Sequence, residues 1–147
     1  MRRLSRTVLS LIWLAAGPAA AEAPAVAGAW IRATPPGART AAAYLTLAGS
    51  GTADRLLGAA TPAARAVEIH ASVVENGVAR MERLPELAVP AGATVLLEPG
   101  AVHLMLIDLA APLAPGAKVE LSLRFATAGT VEVEVPVLDA RMDPHAH

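Results

Sequence analysis

Short segments in which apolar and polar residues alternate are the feature that most constrains how this sequence folds. Val, Leu or Phe occupies every second position along residues 119–125, and Val does so along residues 131–137. Because successive side chains of a β-strand point to opposite faces, this pattern predicts strands with one buried face. Turns that contain glycine or proline separate such segments at intervals of roughly 8–12 residues, which is typical of an all-β sandwich or barrel.

The remaining strands and turns are consistent with a single all-β domain. Four further segments are predicted to be strands, at residues 44–47, 67–71, 94–97 and 104–109. Asn76-Gly77 predicts a hairpin turn, because both residues tolerate positive φ. No segment has a convincing amphipathic helical pattern. Aromatic residues make up only 3% of the chain, so we expect Trp30, Tyr44 and Phe125 to be the few large side chains of an aliphatic core.

The first 21 residues have the organisation of a secretory signal peptide. Arg2, Arg3 and Arg6 precede an apolar run over residues 8–16, and the small residues Ala19-Ala20-Ala21 follow it as a cleavage site. The apolar run is too short to span a bilayer as a permanent helix. An N-terminal anchor or a buried helix is the alternative, and the paired arginines leave both general and twin-arginine export open. We predict export, with the β-domain over residues 22–138 and a flexible tail over 139–147.

Charge and cysteine content exclude several functions. Cleavage after Ala21 leaves 9 Lys and Arg against 13 Asp and Glu, a net charge of about −4. A mildly acidic surface argues against nucleic acid or an anionic membrane as the partner. The chain has no cysteine. Disulfides, iron–sulfur clusters, a lipid-modified cysteine and a thiolate-containing blue-copper site are therefore all excluded.

Two pairs of His and Met residues are candidates for a metal site. His103 and Met105 lie two residues apart on a predicted strand, so their side chains project from the same face. His70 precedes the Asn76-Gly77 turn and Met81 follows it, and a hairpin there would bring these two close together. Taken singly, each is more often a structural residue than a ligand.

The type of ligand indicates the metal. Thioether sulfur is soft and imidazole is versatile, so a set of two His and two Met favours Cu(I), with Ag(I) as a soft mimic. Zinc prefers Cys, His and carboxylate, and calcium and magnesium prefer oxygen. The residues themselves therefore predict one Cu(I) ion bound by His70, Met81, His103 and Met105.

The spacing of these four residues resembles the metal motif of the PCu(A)C family of periplasmic copper chaperones. Ten residues separate His70 from Met81, twenty-one separate Met81 from His103, and one separates His103 from Met105. The likeness extends over most of residues 28–138. It includes the segments AWIRA at 29–33, PPGART at 35–40, VEIH at 67–70 and HLML at 103–106. Family members often carry extra Met near the first His and in the hairpin, where this chain has Ala71, Ser72 and Ala79.

The resemblance implies a cupredoxin-like β-sandwich or barrel with a surface Cu(I) site, located in the periplasm. It also implies delivery of copper to the CuA centre of cytochrome c oxidase, on subunit II, or to another copper carrier. Transfer of this kind is ligand exchange and needs no enzyme. We expect a monomer with no membrane span after cleavage and no nucleic-acid partner.

Three weaker signals surround the main motif. His145 and His147 in the tail, with Asp143 nearby, have the donor types of a secondary Cu(II) site, although a frayed polar terminus is an equal alternative. Glu68 shares a strand face with His70 and is either a residue that orients it or a plain surface acid. Asp108 falls on the opposite strand face from His103 and is expected to pair with an arginine or face solvent.

No catalytic motif is present in the sequence. It contains no HExxH, no phosphate-binding glycine loop after a strand, and no Ser, His and acid cluster in a motif context. Two alternatives to a chaperone remain open at this point: a copper-dependent redox enzyme and a metal-free β-sandwich interaction module. A redox site would usually need three or more His, and only His70 and His103 lie within the predicted domain.

Overall fold

The computed structural model describes residues 21–142. Residues 1–20 of the predicted signal peptide, and the tail histidines His145 and His147, lie outside the described residues. Within that range the chain forms strands and no helix. The strands are β1 Ala25–Arg32, β2 Thr40–Ala48, β3 Asp54–Ala60, β4 Ala64–Glu75, β5 Val78–Leu84, β6 Leu87–Val89, β7 Thr94–Leu97, β8 Val102–Leu109, β9 Lys118–Phe125 and β10 Gly129–Leu138.

Seven of the strands close into a barrel. Their order is β4-β8-β2-β1-β10-β9-β3, and β3 returns to pair with β4 through Ala59 and Val67. β1 and β10 are parallel, and the other pairings are antiparallel. β5 extends the sheet outward from β4, while β6 pairs with β3 and β7 with β2. The expectation of an all-β, cupredoxin-like fold is confirmed.

Strand alternation builds the core as expected. On β8, Leu104 and Leu106 are fully buried in the interior cluster, whereas His103 and Met105 project from the outer face. Each buried leucine contributes about 1.5–3 kcal/mol relative to an exposed one. On β4, Val67 and Ile69 point inward in the same way. The apolar positions of these strands therefore fix which residues the barrel turns outward.

All three large aromatic residues of the described chain are buried, as expected, but they lie in two different places. Phe125 belongs to the interior cluster, but Trp30 and Tyr44 do not, although both are buried. Trp30 pairs with Tyr44 between β1 and β2, and their chain neighbours Ile31 and Ala43 occupy the interior. Because side chains alternate along each strand, Trp30 and Tyr44 lie on the outer face of the barrel, the face that carries His103.

The predicted hairpin turn is present between β4 and β5. Asn76 and Gly77 both have positive φ, at 53° and 76°, as a tight hairpin of this kind requires. The hairpin register pairs Ser72 with Met81 and His70 with Arg83. Across residues 21–142 we find no helix with the length and apolar character needed to cross a membrane.

Candidate metal centre

The centre of the site is a pair of histidines on adjacent strands. His70 of β4 and His103 of β8 are direct cross-strand partners, and their ring centroids are 6.1 Å apart. Glu68 and Met105 form the next pair on the same face of these two strands. Strand pairing thus brings together three of the candidate residues, His70, His103 and Met105, and adds a carboxylate beside them.

His103 is buried. One of its ring nitrogens forms a hydrogen bond, and the other has no hydrogen-bond partner among the described residues. Nδ1 lies 3.2 Å from the carbonyl oxygen of Ala101. Because a carbonyl oxygen only accepts, Nδ1 carries the proton and donates it, which leaves the lone pair on Nε2. Nε2 is buried and has no hydrogen-bond partner among the described residues. Only 3% of His103 is exposed, so this part of the site is less open than the surface site implied by the sequence.

In His70 the roles of the two ring nitrogens are reversed. Its Nε2 lies 2.9 Å from Oε2 of Glu68, and its Nδ1 is buried without a hydrogen-bond partner in the described chain. The hydrogen bond from His70 lowers the pKa of Glu68, and Arg83 adds to this effect against the opposing effect of desolvation. Glu68 is therefore an ionised acceptor, so His70 Nε2 donates and the lone pair is on Nδ1. A carboxylate that orients a histidine in this way is typical of metal sites.

The two methionines lie on opposite sides of the histidine pair. Met105 is partly buried, two residues beyond His103, and lines a cavity of about 250 Å³ together with Arg32 and Ala42. Met81 is 57% exposed on β5 and pairs with Ser72 rather than with His70. Met81 therefore lies on the strand next to that of His70 and level with Ser72. Ser72 is two residues from His70 along β4, in the direction away from Met105. Met81 is therefore on the same sheet face as the histidines but at its exposed edge.

An aromatic wall flanks His103 on the side away from His70. The ring of Tyr44 is 6.3 Å from that of His103, and Trp30 is 4.7 Å from Tyr44. The guanidinium of Arg32 lies 5.8 Å from the centroids of both aromatic rings, within the range of a cation–π contact. This wall was not predicted from the sequence, because Trp30 and Tyr44 were expected to pack in the barrel interior. The available signal was the inward pattern of Ile31, Ala43 and Leu45, which leaves the residues between them on the other face.

Asp108 takes no part in the histidine cluster. Arg39 donates to its Oδ1 at 2.8 Å and Arg65 to its Oδ2 at 2.6 Å. These two hydrogen bonds lower the pKa of the carboxyl group. Asp108 also has a positive φ of 54°, which interrupts the regular alternation near the end of β8. Its pairing with arginine is as the sequence suggested.

The donor set suits a soft metal ion. Two buried imidazole nitrogens that have no hydrogen-bond partner lie beside one thioether, and a second thioether lies at the sheet edge. In the described part of the chain, no three His, Asp or Glu side chains gather in a metal-binding arrangement. Imidazole and thioether together are ligands that Cu(I) accepts.

Two solved proteins share this architecture. The copper-bound PCuAC domain from PmoF2 is 25% identical, with a TM-score of 0.66 over 78% of this chain and 91% of that one. CuI-DR1885 from Deinococcus radiodurans is 32% identical, with a TM-score of 0.65 over 88% of this chain and 87% of that one. The chain therefore has the fold of PCuAC domains.

Sequence comparison identifies the family. "Putative lipoprotein Lxx21020" from Leifsonia xyli subsp. xyli (strain CTCB07) is 38% identical over 130 residues, which span 83% of this chain and 78% of that protein. The model of the family described as "Putative lipoprotein LpqE-like" matches residues 25–137, which include β1 and nearly all of β10. The chain belongs to the LpqE-like family.

Proposed function

We propose that this protein binds one Cu(I) ion as cargo through His70, Met81, His103 and Met105. The observation that carries the proposal is the histidine pair. Nδ1 of His70 and Nε2 of His103 both keep a free lone pair in a buried position, while the other nitrogen of each ring is fixed by a hydrogen bond. Two imidazoles that are held in place by hydrogen bonds next to a thioether need little rearrangement to bind a soft cation.

The two methionines differ in exposure, and in our proposal this difference sets the order in which the copper ligands are displaced. Met105 is partly buried beside the histidines, whereas Met81 is exposed on the edge strand. In our proposal, a ligand from a partner first displaces Met81 and the copper then leaves the less accessible donors. No covalent or redox step is required, so the protein acts as a carrier and not as an enzyme. The relative affinities of donor and acceptor sites set the direction of transfer.

The similar proteins support copper binding and export. One of the similar structures is a copper-bound domain, and another is the CuI form of its protein. The family and one relative are described as lipoproteins, which supports an exported protein, here acting in the periplasm. We propose a copper-receiving protein as partner, with the CuA centre on subunit II of cytochrome c oxidase as the first acceptor to test.

A competition titration tests the proposal directly. The full chain is loaded with Cu(I) under reductant without oxygen and titrated with a coloured Cu(I) chelator, then mixed with an apo CuA domain. We expect one tightly held Cu(I) per chain and its transfer to the CuA domain. Failure to retain Cu(I) against the chelator would contradict the proposal. Retention without transfer would exclude CuA as the acceptor and leave the binding site in place.

A further inference from the structure

A cleft with two arginines lies next to the histidine pair. Its volume is about 430 Å³, and Leu57, Arg83, Pro85 and Arg124 line it. Leu57 belongs to β3, where the pairing with β9 shifts register between Leu56 and Gly58 and leaves Leu57 as the extra residue. A bulge of this kind changes the direction of a strand and its side chains. Residues from β3, β5, β9 and the connection between β5 and β6 therefore form one concave surface.

The charged side chains that line the cleft are both positive and poorly neutralised. The side chain of Arg124 has no ion-pair or hydrogen-bond partner among residues 21–142. Arg83 has one acidic neighbour, Glu68, with Nε at 3.5 Å from Oε1. That distance is long for a charge-assisted hydrogen bond, which is usually about 2.7–2.9 Å. Since the chain as a whole has a net charge of −1, this cleft is a local exception.

Arg83 also connects the cleft to the histidine pair. It is the direct cross-strand partner of His70 in the β4–β5 hairpin. Glu68 contacts both residues, with one carboxylate oxygen toward Arg83 and the other 2.9 Å from Nε2 of His70. A group that binds Arg83 therefore competes with Glu68 and changes the carboxylate that orients His70.

We propose that this cleft is the docking site for an acidic segment of the copper-receiving protein. This inference rests on the proposed function for the identity of the partner. Carboxylates of the partner would bind Arg83 and Arg124 in the fork geometry that guanidinium groups offer, with Leu57 and Pro85 against the aliphatic part of its side chains. Docking draws Arg83 away from Glu68 and loosens the orientation of His70, so that partner binding and copper release are coupled.

An NMR titration of the copper-free full chain tests the docking site. The probe is a capped hexaglutamate peptide, with a hexalysine peptide as the charge-reversed control. We expect the acidic peptide to shift the amide signals of Leu57, Arg83 and Arg124 and the ring nitrogens of His70. Arg124→Gln should weaken binding about tenfold, so that the His70 response appears only at about tenfold higher peptide concentration. Arg141→Gln, which changes an exposed arginine that does not line the cleft, should leave both unchanged.

The outcomes separate this proposal from the proposed function. Equal binding of the peptide to wild type and to Arg124→Gln, or shifts spread over all arginines, would overturn the docking site. So would binding at the cleft with no response from His70, since coupling would then be absent. The measurement needs no copper, so failure of the chain to retain Cu(I) would count against the proposed function alone. Arg124→Gln should still hold Cu(I) as tightly as wild type in the chelator titration.

Discussion

His70 and His103 face each other across β4 and β8, yet they present different ring nitrogens. His70 donates from Nε2 to Glu68 and keeps Nδ1 free, while His103 donates from Nδ1 to the Ala101 carbonyl and keeps Nε2 free. The two hydrogen bonds hold the rings as opposite tautomers. Their free nitrogens are buried, where a lone pair without a partner carries a desolvation cost that a bound cation would remove.

The tautomers predict a specific NMR result. In the copper-free protein, nitrogen-15 shifts should show a protonated Nε2 on His70 and a protonated Nδ1 on His103. Cu(I) should then shift Nδ1 of His70 and Nε2 of His103, because those atoms carry the lone pairs. Replacing His145 and His147 by Ala leaves two of the four histidines and simplifies the assignment. Cu(I)-induced shifts at the same nitrogen type on both rings would contradict this arrangement.

Replacement of the two methionines should remove tight copper binding without unfolding the protein. We expect Met81→Leu and Met105→Leu each to weaken Cu(I) affinity by about tenfold or more, roughly 1.4 kcal/mol, and the double variant to lose tight binding. Leu cannot donate a sulfur lone pair but has a similar volume, so each substitution should cost less than about 1.5 kcal/mol of stability. Chelator competition and urea unfolding measure the two effects.

Met142→Leu is the matched control for the methionine variants, since Met142 is exposed and lies outside the histidine cluster. It should leave Cu(I) affinity unchanged. If the Met81 and Met105 double variant bound Cu(I) as tightly as this control, the thioethers would not be ligands.

Loss of the Glu68 carboxylate should weaken copper binding through His70. Glu68→Leu removes the acceptor that keeps the proton on Nε2, so His70 should become a mixture of tautomers. Removal of an orienting carboxylate typically lowers metal affinity about 10- to 100-fold. Nitrogen-15 shifts report the tautomers and chelator competition reports the affinity. Glu75 is an exposed glutamate paired with Arg80, so Glu75→Gln should change neither the tautomer nor the affinity. If His70 kept its single tautomer in Glu68→Leu, Glu68 would not be the residue that orients the ring.

Much of the fold can be predicted from the sequence, because the alternation of apolar and polar residues along each strand is a local pattern. Alternation along β8 and β9 identifies the interior residues, and the Asn76-Gly77 turn identifies the β4–β5 hairpin. Alternation did not predict the face on which Trp30 and Tyr44 are buried, because it separates two faces of a strand without saying which one is the interior. Here both faces of β1 and β2 bury side chains, and only tertiary packing distinguishes them.

The candidate site was less predictable than the fold. Spacing singled out His70 and His103, but their direct pairing requires β8 to lie between β4 and β2, a long-range order that no local pattern encodes. The same register brings Glu68 opposite Met105 and leaves Met81 at the sheet edge. Strand order and register therefore determine which donors meet, and these depend on packing of the whole barrel.

Asp54 should make the stability of the barrel depend on pH. Its carboxylate accepts backbone N–H bonds from Arg55, Thr127 and Ala128, which tie the start of β3 to the β9–β10 turn. Burial raises the pKa of Asp54, but the backbone bonds outweigh burial and hold the pKa below its ordinary value. Because the folded pKa is depressed, the stabilisation is present above the unfolded pKa of about 3.9 and is lost as the pH falls through the folded pKa.

Asp54→Asn should therefore destabilise the protein at pH 7 by about 1–3 kcal/mol, since an amide has one acceptor oxygen and its NH₂ group faces backbone donors. The difference from wild type should shrink in urea unfolding as the pH falls below about 3.9, where the unfolded carboxyl is protonated. Asp139→Asn, at an exposed aspartate, is the control and should show a small effect at every pH. A loss for Asp54→Asn of the same size at pH 7 and pH 2.5 would mean that packing, and not the ionised carboxylate, stabilises this corner of the barrel.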